Sequence, residues 1–279
     1  MVIDFHTHVF PERVAPNALK SLSLKSGGVR PIFDGTPAGL IRRIGETGTD
    51  IAVVLNIATN ANQQKAVNDF AIEINGGKFG TAPSIDGVCN PLVAFGSIYP
   101  IGQDLRDVRN ELERLALAGI KGIKFHPEYQ SFFVDDERMF PIYEMIAAYG
   151  IITVFHSGAD IGHPKPIHCA PQGLARALPS FRGAPVVAAH LGAYVYWDDV
   201  EKYLVGRDVY FDTSYCYSRV PFVQADNIVK AHGVDRILYG SDLPWSDDFG
   251  EKELVNHFNI SGAERDKIFS GNARRLLQL

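Results

Sequence analysis

The sequence predicts an α/β fold in which eight parallel strands alternate with helices and close into one (β/α)8 barrel, with a single domain at residues 1–279. Two observations favour this fold. Eight short apolar runs alternate with segments of helical periodicity, which is the count of a closed parallel barrel. The alternative, a doubly wound open sheet, needs a glycine-rich phosphate turn after its first strand, and the chain has His6-Thr7-His8 there.

The strands are predicted from continuous apolar runs, because strands of a parallel sheet are buried on both faces. In chain order they are residues 2–8, 51–55, 92–98, 122–125, 151–155, 185–189, 209–213 and 237–240.

The helices are predicted from apolar residues at 3.6-residue spacing and from residues typical of helix ends. Thr36 is expected to cap a helix that has Pro37 at its first position and continues through Ile44. Gly119 and Gly150 are expected to end two later helices. The remaining predicted helical segments are residues 63–74, 105–115, 139–149, 172–178 and 220–231, with two short helices in 261–279.

Two segments are predicted to be irregular. Residues 76–91 are rich in glycine and proline and are typical of a loop. Residues 9–36 contain three prolines and the Gly27-Gly28 pair, and this segment is too long for a neutral connection. We therefore expect residues 9–36 to cover or line a site.

The composition is that of an ordinary globular protein, with 46% hydrophobic and 21% charged residues in 279. The net charge of −5, without a long basic block, disfavours binding to nucleic acid. Cys89, Cys169 and Cys216 are widely spaced and form no Cys-x-x-Cys pair, which argues against disulfides or a structural zinc cluster. Neither a secretory signal nor an apolar run long enough to span a bilayer is recognised, so we expect a cytoplasmic protein that binds no membrane.

The strongest functional signal is the His6-Thr7-His8 pair at the end of the first strand. Residues two apart on a strand point the same way, so both imidazoles can converge on one metal ion. Other polar residues follow later strands, at the end of the barrel where active sites lie. They are Lys124 and His126, His156, His190, and Asp242.

Imidazoles and a carboxylate gathered in this way suit a zinc site, or a site for another divalent ion such as Mn²⁺, with an open position for water. A metal in such a site activates water and polarises a substrate oxygen, which hydrolysis at neutral pH requires. Asp242 could bind the metal and also accept a proton from that water.

Six motifs occur in an order that resembles the amidohydrolase superfamily, in particular its amidohydrolase-2 branch, which is similar to aminocarboxymuconate-semialdehyde decarboxylase. The motifs span nearly the whole chain. They are Asp4-Phe5-His6-Thr7-His8, Lys124-Phe125-His126-Pro127, His156-Ser157-Gly158, Ala189-His190-Leu191-Gly192, Tyr239-Gly240-Ser241-Asp242-Leu243-Pro244 and Ser270-Gly271-Asn272-Ala273-Arg274-Arg275-Leu276.

The resemblance implies a TIM barrel whose single divalent ion, expected to be Zn²⁺, is held by His6, His8, His156 and Asp242. It implies that His190 is the acid/base or water-orienting residue beside that ion. Some decarboxylases of this branch have glutamate in place of the first histidine of the pair. This chain keeps the histidine, which leaves both hydrolysis and decarboxylation open.

Substrate contacts are expected from Lys124, His126, Tyr129 and Trp245. Lys124 is expected to pair with a substrate carboxylate; the alternative is a carboxylated lysine that bridges two metals, as in some relatives. Aromatic residues in the predicted mouth loops favour a flat or partly apolar substrate. Whether Glu12, His163 or His168 contribute to the site is left open.

The predicted function is a metal-dependent hydrolase that uses a metal-activated water to cleave an amide, ester or lactone bond in a small carboxylate- or carbonyl-bearing substrate. The closest alternative is a non-oxidative decarboxylase of an aromatic or unsaturated acid at the same site. A TatD-like nuclease is disfavoured, because the expected glutamate is replaced in Gly119-Ile120-Lys121-Gly122. A non-catalytic metal-binding barrel is a further alternative, and a homodimer is left open.

Overall fold

A computed structural model describes residues 1–80, 90–163 and 165–279, and within them eight strands alternate with helices. All eight predicted strands are present, several of them shorter than the apolar run that predicted them. The strands are β1 (Ile3–Thr7), β2 (Ile51–Leu55), β3 (Leu92–Phe95), β4 (Gly122–Phe125), β5 (Ile152–Phe155), β6 (Val186–Ala188), β7 (Tyr210–Asp212) and β8 (Ile237–Leu238).

The strands pair in parallel as two groups, β1-β2-β3 and β4-β5-β6-β7-β8, and backbone hydrogen bonds close the two seams between the groups. At the first seam, Gly96 N donates to Gly122 O at 2.9 Å and Gly96 O accepts from Lys124 N at 2.8 Å. Gly96 directly follows β3, so these bonds join β3 to β4.

The second seam joins the first strand to the last. Phe5 N donates to Tyr239 O at 2.8 Å, and Asp242 N donates to His6 O at 2.8 Å. With both seams bonded, the eight strands form a (β/α)8 barrel, as the sequence predicts.

Helices surround this barrel. Within the described residues they are α1 (Ala15–Lys25), α2 (Pro37–Thr47), α3 (Ala61–Asn75), α4 (Leu105–Leu117), α5 (Pro127–Gln130), α6 (Phe140–Ala148), α7 (Pro171–Ala177), α8 (Trp197–Tyr203), α9 (Phe222–His232), α10 (Asp248–His257), α11 (Gly262–Asp266) and α12 (Asn272–Leu277). None of them combines the length and hydropathy needed to cross a membrane.

The cap of α2 follows the prediction, because the Thr36 side chain accepts a hydrogen bond from Gly39 N at 3.0 Å. The prediction that residues 9–36 are irregular is wrong, since α1 lies inside them. Pro16 falls in the first turn of α1, where the missing N–H costs no hydrogen bond. Helices α5, α8 and α10 were not predicted either.

The structure describes two of the three cysteines and part of the predicted loop at 76–91. Cys169 and Cys216 are buried free thiols. Cys89 lies outside the described residues, as do residues 81–89 of the predicted loop.

The interior of the barrel is filled by alternate strand side chains, as the two-residue period of a strand requires. Ile3 and Phe5 of β1 join Val53 and other strand residues in one buried cluster, to which α12 adds Ala273 and Leu277. A second cluster packs the outer faces of the strands against the helices.

Asn272 connects α12 to the start of β8. Its buried side-chain amide donates to Val234 O at 2.7 Å and to Ile237 O at 2.8 Å. This contact explains why an asparagine occurs in the Ser270–Leu276 motif.

We expect Asn272→Ala to lower the free energy of unfolding by about 2–4 kcal/mol, because two buried carbonyls would lose their donor. Urea denaturation measures this change, with Asn227→Ala on the exposed face of α9 as the matched control. Equal denaturation midpoints for the two variants would contradict the assignment.

Candidate metal centre

Three of the predicted metal ligands meet where β1 and β8 end. His6 Nε2 lies 3.3 Å from Asp242 Oδ1, and His8 Nε2 lies 3.1 Å from the same oxygen. These side chains are 236 and 234 residues apart in sequence, by subtraction of their numbers, and the closing seam brings them together.

The other nitrogen of each imidazole is held by an acceptor. His6 Nδ1 lies 2.8 Å from Asp212 Oδ2, and His8 Nδ1 lies 2.8 Å from the carbonyl oxygen of Leu55. A carbonyl or carboxylate only accepts, so we assign the proton of each ring to Nδ1. Both Nε2 lone pairs therefore face Asp242, and this donor set fits a divalent ion.

The protonation states agree with that fit. Burial lowers the pKa of His6 to about 4, which keeps the imidazole neutral at pH 7. Burial alone would raise the pKa of Asp242, but the nearby imidazoles of His8, His6 and His190 hold that pKa below its usual range. Metal ligands need neutral imidazoles and an ionised carboxylate.

His156, the fourth predicted ligand, lies beside His190 rather than within the group of three. His156 Nδ1 is 3.0 Å from His190 Nε2, and the remaining nitrogens of these rings face the carbonyl oxygens of Ala159 at 3.2 Å and Ser214 at 3.0 Å. If His156 donates to Ala159 O and His190 donates to Ser214 O, the lone pairs of His156 Nδ1 and His190 Nε2 face each other. Such a pair can accept a shared proton or a cation.

His126 stacks on His156 and comes near Asp160. The centroids of the two rings are 4.1 Å apart with an interplanar angle of 6°, and His126 Nε2 is 3.5 Å from Asp160 Oδ2. Lone pairs of an imidazole lie in the ring plane, so those of stacked rings run parallel and do not converge on one ion. We therefore favour the His6, His8 and Asp242 group as the metal centre.

Asp212, at the end of β7, is a site residue that the sequence did not reveal. Its carboxylate accepts from His6 Nδ1, from His190 N at 3.0 Å and from Ser214 N at 3.1 Å. Burial would raise the pKa of Asp212, yet His6, His190 and the Ser214 hydroxyl hold it below its usual range. The one available signal was an acidic residue at the end of an apolar run.

Lys124 is buried next to the metal centre. Its Nζ lies 3.3 Å from His6 Nε2, and burial lowers the pKa of this ammonium to about 8. Among residues 1–80, 90–163 and 165–279, no carboxylate oxygen lies within 4.0 Å of Nζ.

One pocket of about 1200 Å³ contains the predicted site residues, whereas Asp212 is buried behind its lining. Its lining includes every predicted site residue: His6, His8, Lys124, His126, Tyr129, His156, His190, Asp242 and Trp245. Tyr194 and Tyr215 add aromatic walls, and α1 lines another side. The expectation that residues 9–36 line a site is therefore confirmed, although as a helix.

The three residues without a predicted role lie at the periphery. Glu12 lines the pocket and is exposed. His163 packs edge-on against Tyr129, with centroids 4.7 Å apart, and His168 packs against Phe133 at 4.6 Å.

The backbone is unusual at three residues of the pocket. His190, Tyr215 and Asp242 have φ values of 62°, 58° and 70°. Side-chain-bearing residues rarely adopt this left-handed conformation, which occurs preferentially at functional sites.

Comparisons with known proteins agree with this architecture. A family model described as amidohydrolase matches residues 3–279. A comparison with curated proteins gave no match.

Solved structures resemble the chain over nearly its whole length. 5-Carboxyvanillate decarboxylase LigW from Sphingomonas paucimobilis has a TM-score of 0.68 and 14% identity, covering 100% of this chain and 99% of that one. Dihydroxybenzoic acid decarboxylase from Polaromonas sp. JS666, with bound manganese and 2-nitroresorcinol, has a TM-score of 0.67 and 18% identity, covering 100% and 97%. 4-Oxalomesaconate hydratase LigJ from Rhodopseudomonas palustris has a TM-score of 0.65 and 19% identity, covering 100% and 96%.

At identities of 14–19% the solved structures establish the fold alone. The family model matches almost every residue and therefore establishes the family. The chain belongs to the amidohydrolase family, in its amidohydrolase-2 branch.

Proposed function

We propose that the chain is a metal-dependent, non-oxidative decarboxylase of a small aromatic or unsaturated acid. The sequence alone favoured hydrolysis, with decarboxylation as the alternative. Decarboxylation becomes the preferred function because two of the structures that share this fold are named as decarboxylases of ring acids.

The observation that carries the proposal is the buried Lys124 ammonium without a carboxylate partner among the described residues. A buried cation is costly unless it is paired, and Asp212 and Asp242 act on Lys124 only from a distance. Lys124 lines the pocket, so an anionic ligand bound there can contact its ammonium directly. The aromatic rings of Tyr129, Tyr194, Tyr215 and Trp245 line the same pocket. A flat acid fits between these walls with its carboxylate near Lys124.

The proposed ion is a single divalent metal, with His6, His8 and Asp242 as ligands and His156 as the fourth. His156 would bind through Nδ1, because its Nε2 faces Ala159 O, and this would release His190 Nε2 from its contact with His156. When bound, it supplies Lewis-acid polarisation of a substrate oxygen. Zn²⁺ remains the expected ion, and Mn²⁺ is the alternative that the dihydroxybenzoic acid decarboxylase supports.

The reaction needs a proton at carbon, and we assign this role to His190. The bond between the ring carbon and the carboxyl carbon breaks, its electron pair stays on the ring carbon, and CO2 leaves. That carbon takes a proton from Nε2 of the His190 imidazolium, which regains one from water. The bond between His190 Nδ1 and Ser214 O fixes the ring and leaves Nε2 to carry the transferred proton.

Hydrolysis is the second candidate, favoured by the position of Asp242. Its Oδ1 lies within 3.3 Å of both His6 Nε2 and His8 Nε2, where it could accept a proton from an attacking water. The pocket would then hold an amide, ester or lactone.

Product analysis separates the two candidates. We expect the Zn²⁺- or Mn²⁺-loaded protein to release CO2 from 2,6-dihydroxybenzoate or 5-carboxyvanillate, and in D2O to place one deuterium on the ring carbon that lost CO2. Mass spectrometry and NMR measure both. Ring-opened product from a lactone panel, without CO2 from any acid, would contradict decarboxylation and support hydrolysis.

Lys124→Met should lower kcat/KM for a ring acid about 10- to 100-fold, because a charge-assisted contact to the substrate carboxylate is lost. Lys121→Met is the matched control, since Lys121 is exposed just before β4. The neutral methyl ester of the same acid is the control ligand. If Lys124→Met weakens binding of the ester as much as it weakens binding of the acid, the loss does not come from the carboxylate contact.

His8→Ala should remove most of the bound metal, because the proposed ligand set loses one of its imidazoles. Metal content after dialysis, measured by inductively coupled plasma mass spectrometry, checks this, and added Zn²⁺ should raise the melting temperature of the wild type but not of the variant. His257→Ala, at an exposed histidine of α10, is the control. Full metal content in His8→Ala would contradict the assigned ligands.

A further inference from the structure

The pocket is larger than a single-ring acid requires. Its volume is about 1200 Å³, whereas sites for drug-sized ligands span roughly 300–1,000 Å³. The metal centre, Lys124 and the aromatic rings account for one part of its lining. The other part is lined by residues of α1 and α3.

One wall of that second part is a face of α1. Val14, Ala18, Ser21, Leu22 and Lys25 line the pocket at intervals of four, three, one and three residues, so they form one stripe along the helix. Ala15 and Leu19, on the other side, are buried against the protein. The apolar members of the stripe are accessible, since Val14, just before α1, keeps 41% of its surface exposed and Ala18 and Leu22 are partly exposed.

A second wall belongs to α3. Six residues of this helix line the same pocket: Gln63, Ala66, Val67, Asp69, Phe70 and Glu73. Ala66, Val67 and Phe70 form the apolar part of this wall, and the Asp69 carboxylate beside them is paired with Lys65 and Arg114.

The two walls are continuous with the candidate active site. Lys25, at the end of α1, lies 5.4 Å from the centroid of the Tyr129 ring, and Tyr129 packs edge-on against His126 at 4.6 Å. A molecule held near Lys124 can therefore extend towards α1 and α3 without leaving the pocket.

We propose that this second part of the pocket, the distal arm, binds an apolar extension of the substrate. The distal arm is lined by Val14, Ala18, Leu22, Ala66, Val67 and Phe70. The substrate class is then an acid whose apolar portion is longer than one ring. This inference rests on the proposed function for the position of the carboxylate, and on the helix faces for the extension.

Direct binding tests the distal arm without turnover. Isothermal titration calorimetry on the Zn²⁺-loaded full chain compares benzoate with biphenyl-4-carboxylate. We expect the biphenyl acid to bind about tenfold more tightly or better, because its second ring buries additional apolar surface. Equal affinities for the two acids would overturn the proposal.

Filling the distal arm should remove the difference in affinity between biphenyl-4-carboxylate and benzoate. In Ala18→Trp we expect the affinity for biphenyl-4-carboxylate to fall to that for benzoate, with benzoate binding unchanged. Ala66→Trp narrows the arm from its α3 wall and should act in the same way if Ala18→Trp fails to fold. Lys20→Trp, on α1 but outside the pocket, is the matched control and should bind both acids like the wild type.

The outcomes distinguish the two proposals. Both tryptophan variants could abolish the preference for the biphenyl acid while no acid releases CO2. This result would contradict the decarboxylase proposal and support the distal arm. CO2 release from ring acids with no preference for the biphenyl acid would sink the distal arm alone. Equal weakening of both acids in the tryptophan variants would also count against the distal arm.

Discussion

The hydrogen bonds that join β1 to the end of β8 bring the two ends of the chain together. Besides the bonds at Phe5 and His6, His8 N donates to Leu243 O at 2.7 Å. The buried Asp4 carboxylate strengthens the same seam by accepting from Ser241 N at 2.9 Å. Because His6, His8 and Asp242 flank these bonds, the candidate metal centre forms only when the barrel closes. Binding of the proposed ion would therefore be thermodynamically linked to fold stability.

Much of the fold could be predicted because the strands are buried on both faces, which leaves continuous apolar runs such as residues 51–55. The candidate site was predictable for a related reason. A histidine directly after such a run, as at His156 or His190, has to lie at the mouth of a parallel barrel. All nine predicted site residues line one pocket, while their roles as ligands, acid and substrate contacts remain proposals.

The remainder depends on contacts distant in sequence. Helix α1 was missed because Pro16 and the Gly27-Gly28 pair resemble loop residues, and only tertiary packing of Ala15 and Leu19 shows that a helix forms. Asp212 was missed because its partner His6 lies 206 residues away. The placement of His156 beside His190 likewise depends on the relative positions of β5 and β6.

The left-handed backbone at His190, Tyr215 and Asp242 affects how this protein can evolve. Each such conformation costs about 1–3 kcal/mol, which glycine would relieve. Selection for thermal stability alone would therefore favour glycine at these positions. The pocket would then lose the imidazole, the phenol and the carboxylate. The side chains at these three positions therefore set the stability of the barrel mouth against its chemistry.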